Sequence, residues 1–123
     1  MAAASAREVV DQYFDLFSRK RYDECRALLS DEGFSFQGPI DTFDNPDTFI
    51  AVVKNLGMLT REVRKLKVFE DGPDVCVIYD FEMQPPGEGT ITIAEWFHVE
   101  EGKIRSIRIM FDARPFAPFF AQR

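Results

Sequence analysis

The chain has 123 residues, 46% of them hydrophobic and 14% aromatic, with a formal net charge of -6. That length supports one folding unit with a real core and leaves no room for two. The acidic balance excludes a phosphate-tracking nucleic-acid binder, which needs clustered Lys and Arg to displace counterions.

The opening Met1-Ala2-Ala3-Ala4-Ser5-Ala6 has no apolar run behind it, so it reads as a frayed start and not a signal peptide. Val9, Val10, Tyr13, Phe14 and Phe17 recur at three- and four-residue steps, predicting a helix over 5–18 with Ser5 and Glu8 placed as a capping box. Tyr22, Cys25, Leu28 and Leu29 repeat that spacing over 21–29, with Asp23 and Glu24 in the first turn, where acids favour the helix dipole. A brief strand is predicted over 33–37, where Phe34 and Phe36 alternate with polar residues before Gly38-Pro39. Asn45-Pro46-Asp47 then supplies an N-cap with proline at the first helical position. Phe49, Ile50, Val52, Val53 and Leu56 form the stripe of a helix over 46–56, and Gly57 suits its C-cap.

Four longer strands follow, over 60–70, 74–84, 89–99 and 103–113, separated by short turns. The one basic cluster, Arg61, Arg64, Lys65 and Lys67, reads as the wet edge of the first of them. Helices first and an antiparallel meander after predict an α+β domain over 1–123, with three helices packed on one face of a strongly curved sheet. Centring a two-residue turn on Glu101 and Gly102 pairs Glu95 with Arg108 and puts Phe97, Val99, Ile104, Ser106, Met110 and Asp112 on the same side. The opposite side collects Ala94, Trp96, Ile107, Ile109 and Phe111. An isolated monomer should not leave that second face wet, so a homodimer through the outer sheet face is expected.

Thirteen Phe in this length imply either an unusually aromatic core or a ring-lined pocket. Cys25 and Cys76 have neither metal-ligand spacing nor a disulfide framework, so free thiols in a reducing compartment, and hence a cytoplasmic protein, are expected. No run is long and apolar enough to span a bilayer. With one His and no close carboxylate cluster, neither a metal site nor a cofactor is expected. His98 shares the outer face with Trp96 by alternation and reads as a surface or interface residue.

The order of elements, with Gly102-Lys103-Ile104 at the last turn and Met110-Phe111-Asp112 closing the last strand, resembles the nuclear transport factor 2-like superfamily. Within it the chain is most similar to the SnoaL-like polyketide cyclases. The resemblance implies a cystatin-like, cone-shaped α+β barrel with a conical pocket lined by aromatic side chains. Aligning Val9-Val10-Asp11-Gln12-Tyr13 with the first helix of ketosteroid isomerase lands its oxyanion-donating tyrosine on Tyr13. The isomerase's protonated oxyanion-hole acid falls on Glu95. Its carboxylate base falls on Gln37, an amide, which cannot take a proton. Limonene epoxide hydrolase and the cyclases carry an acid that matches Asp112. The hydrolase's Arg-x-Asp corresponds here to Ile78-Tyr79-Asp80, without the arginine.

Together these point to a small hydrophobic ligand and to cofactor-free acid/base chemistry: cyclisation, isomerisation or dehydration. Asp112 is expected as the acid/base, Asp80 as a second carboxyl and Tyr13 as donor to a developing oxyanion. Glu95, Gln37, Phe36, Phe97, Met110, Phe14 and Arg108 are expected at the ligand. Apolar neighbours Phe111 and Phe116 would raise the Asp112 carboxyl by desolvation, whereas pairing with Arg114 or Arg108 would make it a simple strand-end ion. Asp80 could equally sit at an exposed strand position, Glu95 in a cross-strand pair with Arg108, and Tyr13 in the core. Two rival functions remain at this point, a non-catalytic ligand-binding or dimerising module and an epoxide hydrolase-like enzyme.

Overall fold

Ser5 caps the first helix as its sequence predicts: its hydroxyl accepts from the Glu8 N–H at 3.2 Å, and the Glu8 carboxylate accepts from the Ser5 N–H at 3.1 Å. From there the computed structural model, which describes residues 4–85 and 87–117, runs through α1 (Ala6–Ser18) and α2 (Tyr22–Ala27). The first three residues of the expected frayed start lie outside the described residues. Two short strands follow, β1 (Ser35–Gln37) and β2 (Thr42–Phe43), and then α3 (Pro46–Leu59). The sheet is completed by β3 (Thr60–Asp71), β4 (Asp74–Met83), β5 (Thr90–Glu100) and β6 (Lys103–Met110), and a single 3-10 turn stands at Arg114–Phe116.

The strands form one six-stranded sheet in the order β2-β1-β6-β5-β4-β3, with the helices packed on one face. It is an α+β fold, as expected, and the sheet is curved but not closed, with β2 and β3 as its edges. The meander β3 to β6 is antiparallel, while β1 runs parallel to β6, making the sheet mixed. Hairpin β1–β2 was not legible in the sequence, because two residues are too few to show a period. Extra residues in β3 shift its register against β4 between Thr60 and Glu62 and between Lys65 and Lys67. Such bulges bend a strand and increase its twist.

α3 continues through Gly57 to Leu59, so this glycine does not end the helix. It admits a close approach instead: a Cβ there would stand 1.8 Å from the Tyr22 hydroxyl oxygen. The core lies between sheet and helices. Phe97 has no exposed surface, and its ring meets those of Tyr13 and Phe14 edge-on at 5.8 and 5.7 Å. No helix among the described residues is long and apolar enough to cross a membrane.

One feature of the last hairpin decides what the site contains. The turn falls where expected: Glu101 and Gly102 both have positive φ, +52° and +76°, and Glu100 pairs with Lys103. Val99 pairs with Ile104, yet His98 pairs with Ser106, so Arg105 is an extra residue in β6. A one-residue shift reverses the facing of everything beyond it. Glu95 therefore pairs with Ile109, not Arg108, and Trp96 takes Arg108. Ile107 and Ile109, expected outside, join the core side with the half-buried Phe111. Met110 and Arg108, expected inside, are exposed. The outer face keeps Trp96, Met110 and, from β3, Phe69 as large apolar side chains, 43%, 48% and 50% exposed.

Candidate functional site

Between the helices and the sheet lie two adjoining hollows of about 100 and 150 Å³. Into the first, α1 turns Tyr13, Phe14 and Phe17, and α3 turns Phe49, Val52, Val53 and Leu56. Its sheet wall includes Tyr79 and Phe81 from β4, Glu95 from β5 and Ile109 from β6. Strand alternation sets this wall: β4 buries every second residue from Val75 to Met83, and β5 buries Ile91, Ile93, Glu95, Phe97 and Val99. Glu95 thus takes an inward position otherwise reserved for apolar side chains.

Glu95 is 6% exposed and is the one charged side chain buried among the described residues. The Tyr79 hydroxyl donates to its Oε1 at 2.7 Å. Desolvation raises the carboxyl from the ordinary 4.5 to about 7, with the Tyr79 bond pulling the other way. Tyr79 and Tyr13 are both pushed well above 10, by burial first and by the nearby Glu95 charge second, so both stay protonated donors. The second Glu95 oxygen and the Tyr13 hydroxyl have no hydrogen-bond partner among the described residues, and neither is sealed away from open space. Chemically the arrangement offers an acid that trades its proton near neutral pH, a phenol that fixes it, and a second phenol left free to donate. Among the described residues no three His, Cys, Asp or Glu side chains gather as metal ligands would.

The family model for the SnoaL-like domain matches residues 10–107. The chain belongs to this SnoaL-like family. Among solved structures it is similar to a nuclear transport factor 2-like protein of unknown function from Cytophaga hutchinsonii, at 25% identity and a TM-score of 0.77, covering 94% of this chain and 96% of that one. An LEH-like epoxide hydrolase of M. tuberculosis superposes with a TM-score of 0.76 at 16% identity, covering 96% of each chain. A provisionally assigned polyketide cyclase of Sinorhizobium meliloti does so with 0.73 at 16%, covering 83% of this chain and 93% of that one. At those identities the last two show the fold alone. No curated protein matches significantly.

Of the side chains singled out from sequence, this SnoaL-like chain brings Tyr13, Phe14, Phe36 and Glu95 together at the first hollow. Phe97 lies packed beneath Tyr13 and Phe14 instead of at the open space. The others stand elsewhere. Asp112, expected inside, is exposed beyond the end of β6. There the Arg114 guanidinium and backbone N–H bond it and hold its carboxyl down at about 2. Asp80, expected as the second carboxyl, lies on the opposite face of β4 from Tyr79 and accepts from the Thr92 hydroxyl at 2.7 Å. Gln37 and Arg108 meet each other outside, where Arg108 Nη2 donates to Gln37 Oε1 at 2.8 Å and the guanidinium stacks 5.9 Å from the Trp96 ring. Met110 is exposed on the same side. For Arg108, Met110 and Asp112 the cause is shared: the extra Arg105 turned the chain over beyond it. The sequence reading missed Tyr79 as a site residue. It shares the inward parity of Val75, Val77 and Phe81, and pairing Val77 with Glu95 puts it diagonally across from the acid.

Proposed function

We propose that this protein is a small-molecule enzyme that moves a proton on a largely apolar carbonyl compound without a cofactor, with Glu95 as the proton carrier. The observation that supports this most is the buried Glu95–Tyr79 hydrogen bond facing an aromatic hollow. At pH 7 a carboxyl of this kind is present in both forms, the condition under which one group takes a proton efficiently and gives it back. Ionised Glu95 removes a proton from the carbon beside the carbonyl; the electrons of that C–H bond form a carbon–carbon double bond, and the carbonyl π pair moves onto oxygen. The Tyr13 O–H donates to the developing oxyanion, in a setting where water does not compete. Tyr79 holds the carboxylate in place. In an unsaturated ketone Glu95 returns the proton at the far carbon of the conjugated enolate, giving isomerisation; where the enolate carbon instead attacks a second carbonyl of the same molecule, Glu95 returns the proton to the alkoxide so formed, completing ring closure.

The test is solvent exchange: 2-tetralone in D₂O, followed by proton NMR, loses its α-protons faster with the protein present. General-base catalysis is worth about 10²- to 10⁴-fold, and Glu95→Gln removes the increment. Undiminished exchange in that variant refutes the assignment. Tight ketone binding without exchange leaves the other reading, a non-catalytic binding module of the same fold. Epoxide hydrolysis has less support, since Asp80 and Asp112 stand outside the hollow. We infer further that a second copy of the chain covers the outer sheet face, where Trp96, Met110 and Phe69 lie exposed.

A further inference from the structure

The second hollow adjoins the first, with Phe36, Val52, Leu56, Tyr79, Phe81 and Ile109 lining both. Val52, 40% exposed, lines both, so α3 gives the two a shared and partly open wall. Their chemistry differs. The first holds the Glu95 carboxyl and two phenols, whereas Ile40, Phe43, Ile93 and Phe111 mark the second as apolar, with half-exposed Asp41 its one charged neighbour among the described residues. Among those residues, neither hollow is lined by a Lys, Arg or His side chain. A carboxylate or phosphate ligand finds no cation in these linings and meets the field of Glu95. A dry apolar cavity of about 150 Å³ is large enough to take a benzene ring, and the second hollow has about that volume. The first, at about 100 Å³, holds little beyond a polar head.

We propose that the second hollow is the tail subsite, so that the site takes an uncharged ketone whose carbonyl sits at Glu95 and Tyr13 and whose single ring passes between Phe36 and Ile109 to lie against Ile93 and Phe111. This rests on the proton-transfer reading for the position of the head, while the subsite itself stands on cavity shape and lining. Ile93 sets the depth of the subsite: it is buried, points inward from β5 and lines the second hollow but not the first.

The test is binding calorimetry at pH 8 with 4-phenyl-2-butanone, 2-butanone and 3-phenylpropanoate. Burying the ring makes the phenyl ketone about tenfold to a hundredfold tighter than 2-butanone, and the carboxylate with the same ring binds at least about tenfold more weakly than that ketone. Ile93→Phe fills the subsite and brings the phenyl ketone down to the affinity of 2-butanone, whose own binding is unchanged. Should Ile93→Phe fail to fold, Ile93→Ala gives the complementary result, a gain for 4-(2-naphthyl)-2-butanone over the phenyl compound. Unaltered tail preference in folded variants overturns the proposal, as does a carboxylate that binds as well as the ketone. Tail selectivity without α-proton exchange would remove the enzyme reading and leave the subsite standing. Exchange with no tail selectivity would do the reverse.

Discussion

Replacing Glu95 by glutamine should make the protein more stable at pH 8 and change it little at pH 5. Burial raises this carboxyl from 4.5 to about 7, so between those values the folded chain holds a proton that the unfolded chain has released. Stability therefore falls as pH rises through that window and levels off above pH 7. A displacement from 4.5 to about 7, at 1.36 kcal/mol per unit, corresponds to about 3 kcal/mol at pH 8. Glutamine keeps an oxygen for the Tyr79 hydroxyl and carries no charge to bury, so the variant escapes that cost. Urea denaturation of both proteins at half-unit steps from pH 4.5 to 8.5 measures it. The difference between the two curves should open across the window and close towards its acid end. Curves that stay parallel would refute the buried-charge account of Glu95 and the proton-transfer reading with it.

Asp112→Asn should leave α-proton exchange unchanged in the same NMR assay, because Asp112 lies outside the hollow and bonds Arg114. Gly57→Ala should push the Tyr22 ring aside, because the new methyl collides with its hydroxyl; after a helix-propensity gain of about 1 kcal/mol the net loss is at most about 2 kcal/mol, read as a slightly lower Tm. Trp96→Lys should shift a dimer to monomer in light scattering at micromolar concentration without altering the far-UV spectrum. An unchanged mass would remove the outer sheet face from consideration as the contact.

The helices α1 and α3 were readable because each combines an apolar stripe with a local start signal, Ser5 with Glu8 in α1 and Asn45 with Pro46 in α3. The strands and their turns were readable for the same reason, as Gly72 and Gly102 punctuate runs of period two. What failed was register. Nothing in Lys103-Ile104-Arg105-Ser106-Ile107 marks Arg105 as surplus, since Arg and Ser are both acceptable on an outer face. The contacts that accompany the bulge carry no period: Arg105 donates across the turn to Glu100 at 2.7 Å, and its side chain packs against Gly33, remote in sequence, where a Cβ would collide with it. Glu95, which precedes the turn on β5, kept its inward facing, and residues beyond Arg105 lost theirs. Asp80 illustrates a different limit. Its sequence neighbours are apolar, but neighbours along a strand point to the other face, so they say little about the environment of the residue between them.

The surplus residue in β6 also bears on how members of this family are compared. A relative of equal length whose β6 pairs with β5 without that bulge would align column by column with this chain while presenting the opposite set of side chains to its interior, so that a shared aspartate or arginine near the carboxyl end would occupy unrelated surroundings in the two molecules. A bulge smoothed out with no residue lost exchanges lining for skin. Such a slip is a short evolutionary path by which one scaffold acquires a new interior chemistry, and tracing it requires counting hairpin pairs, not matching letters.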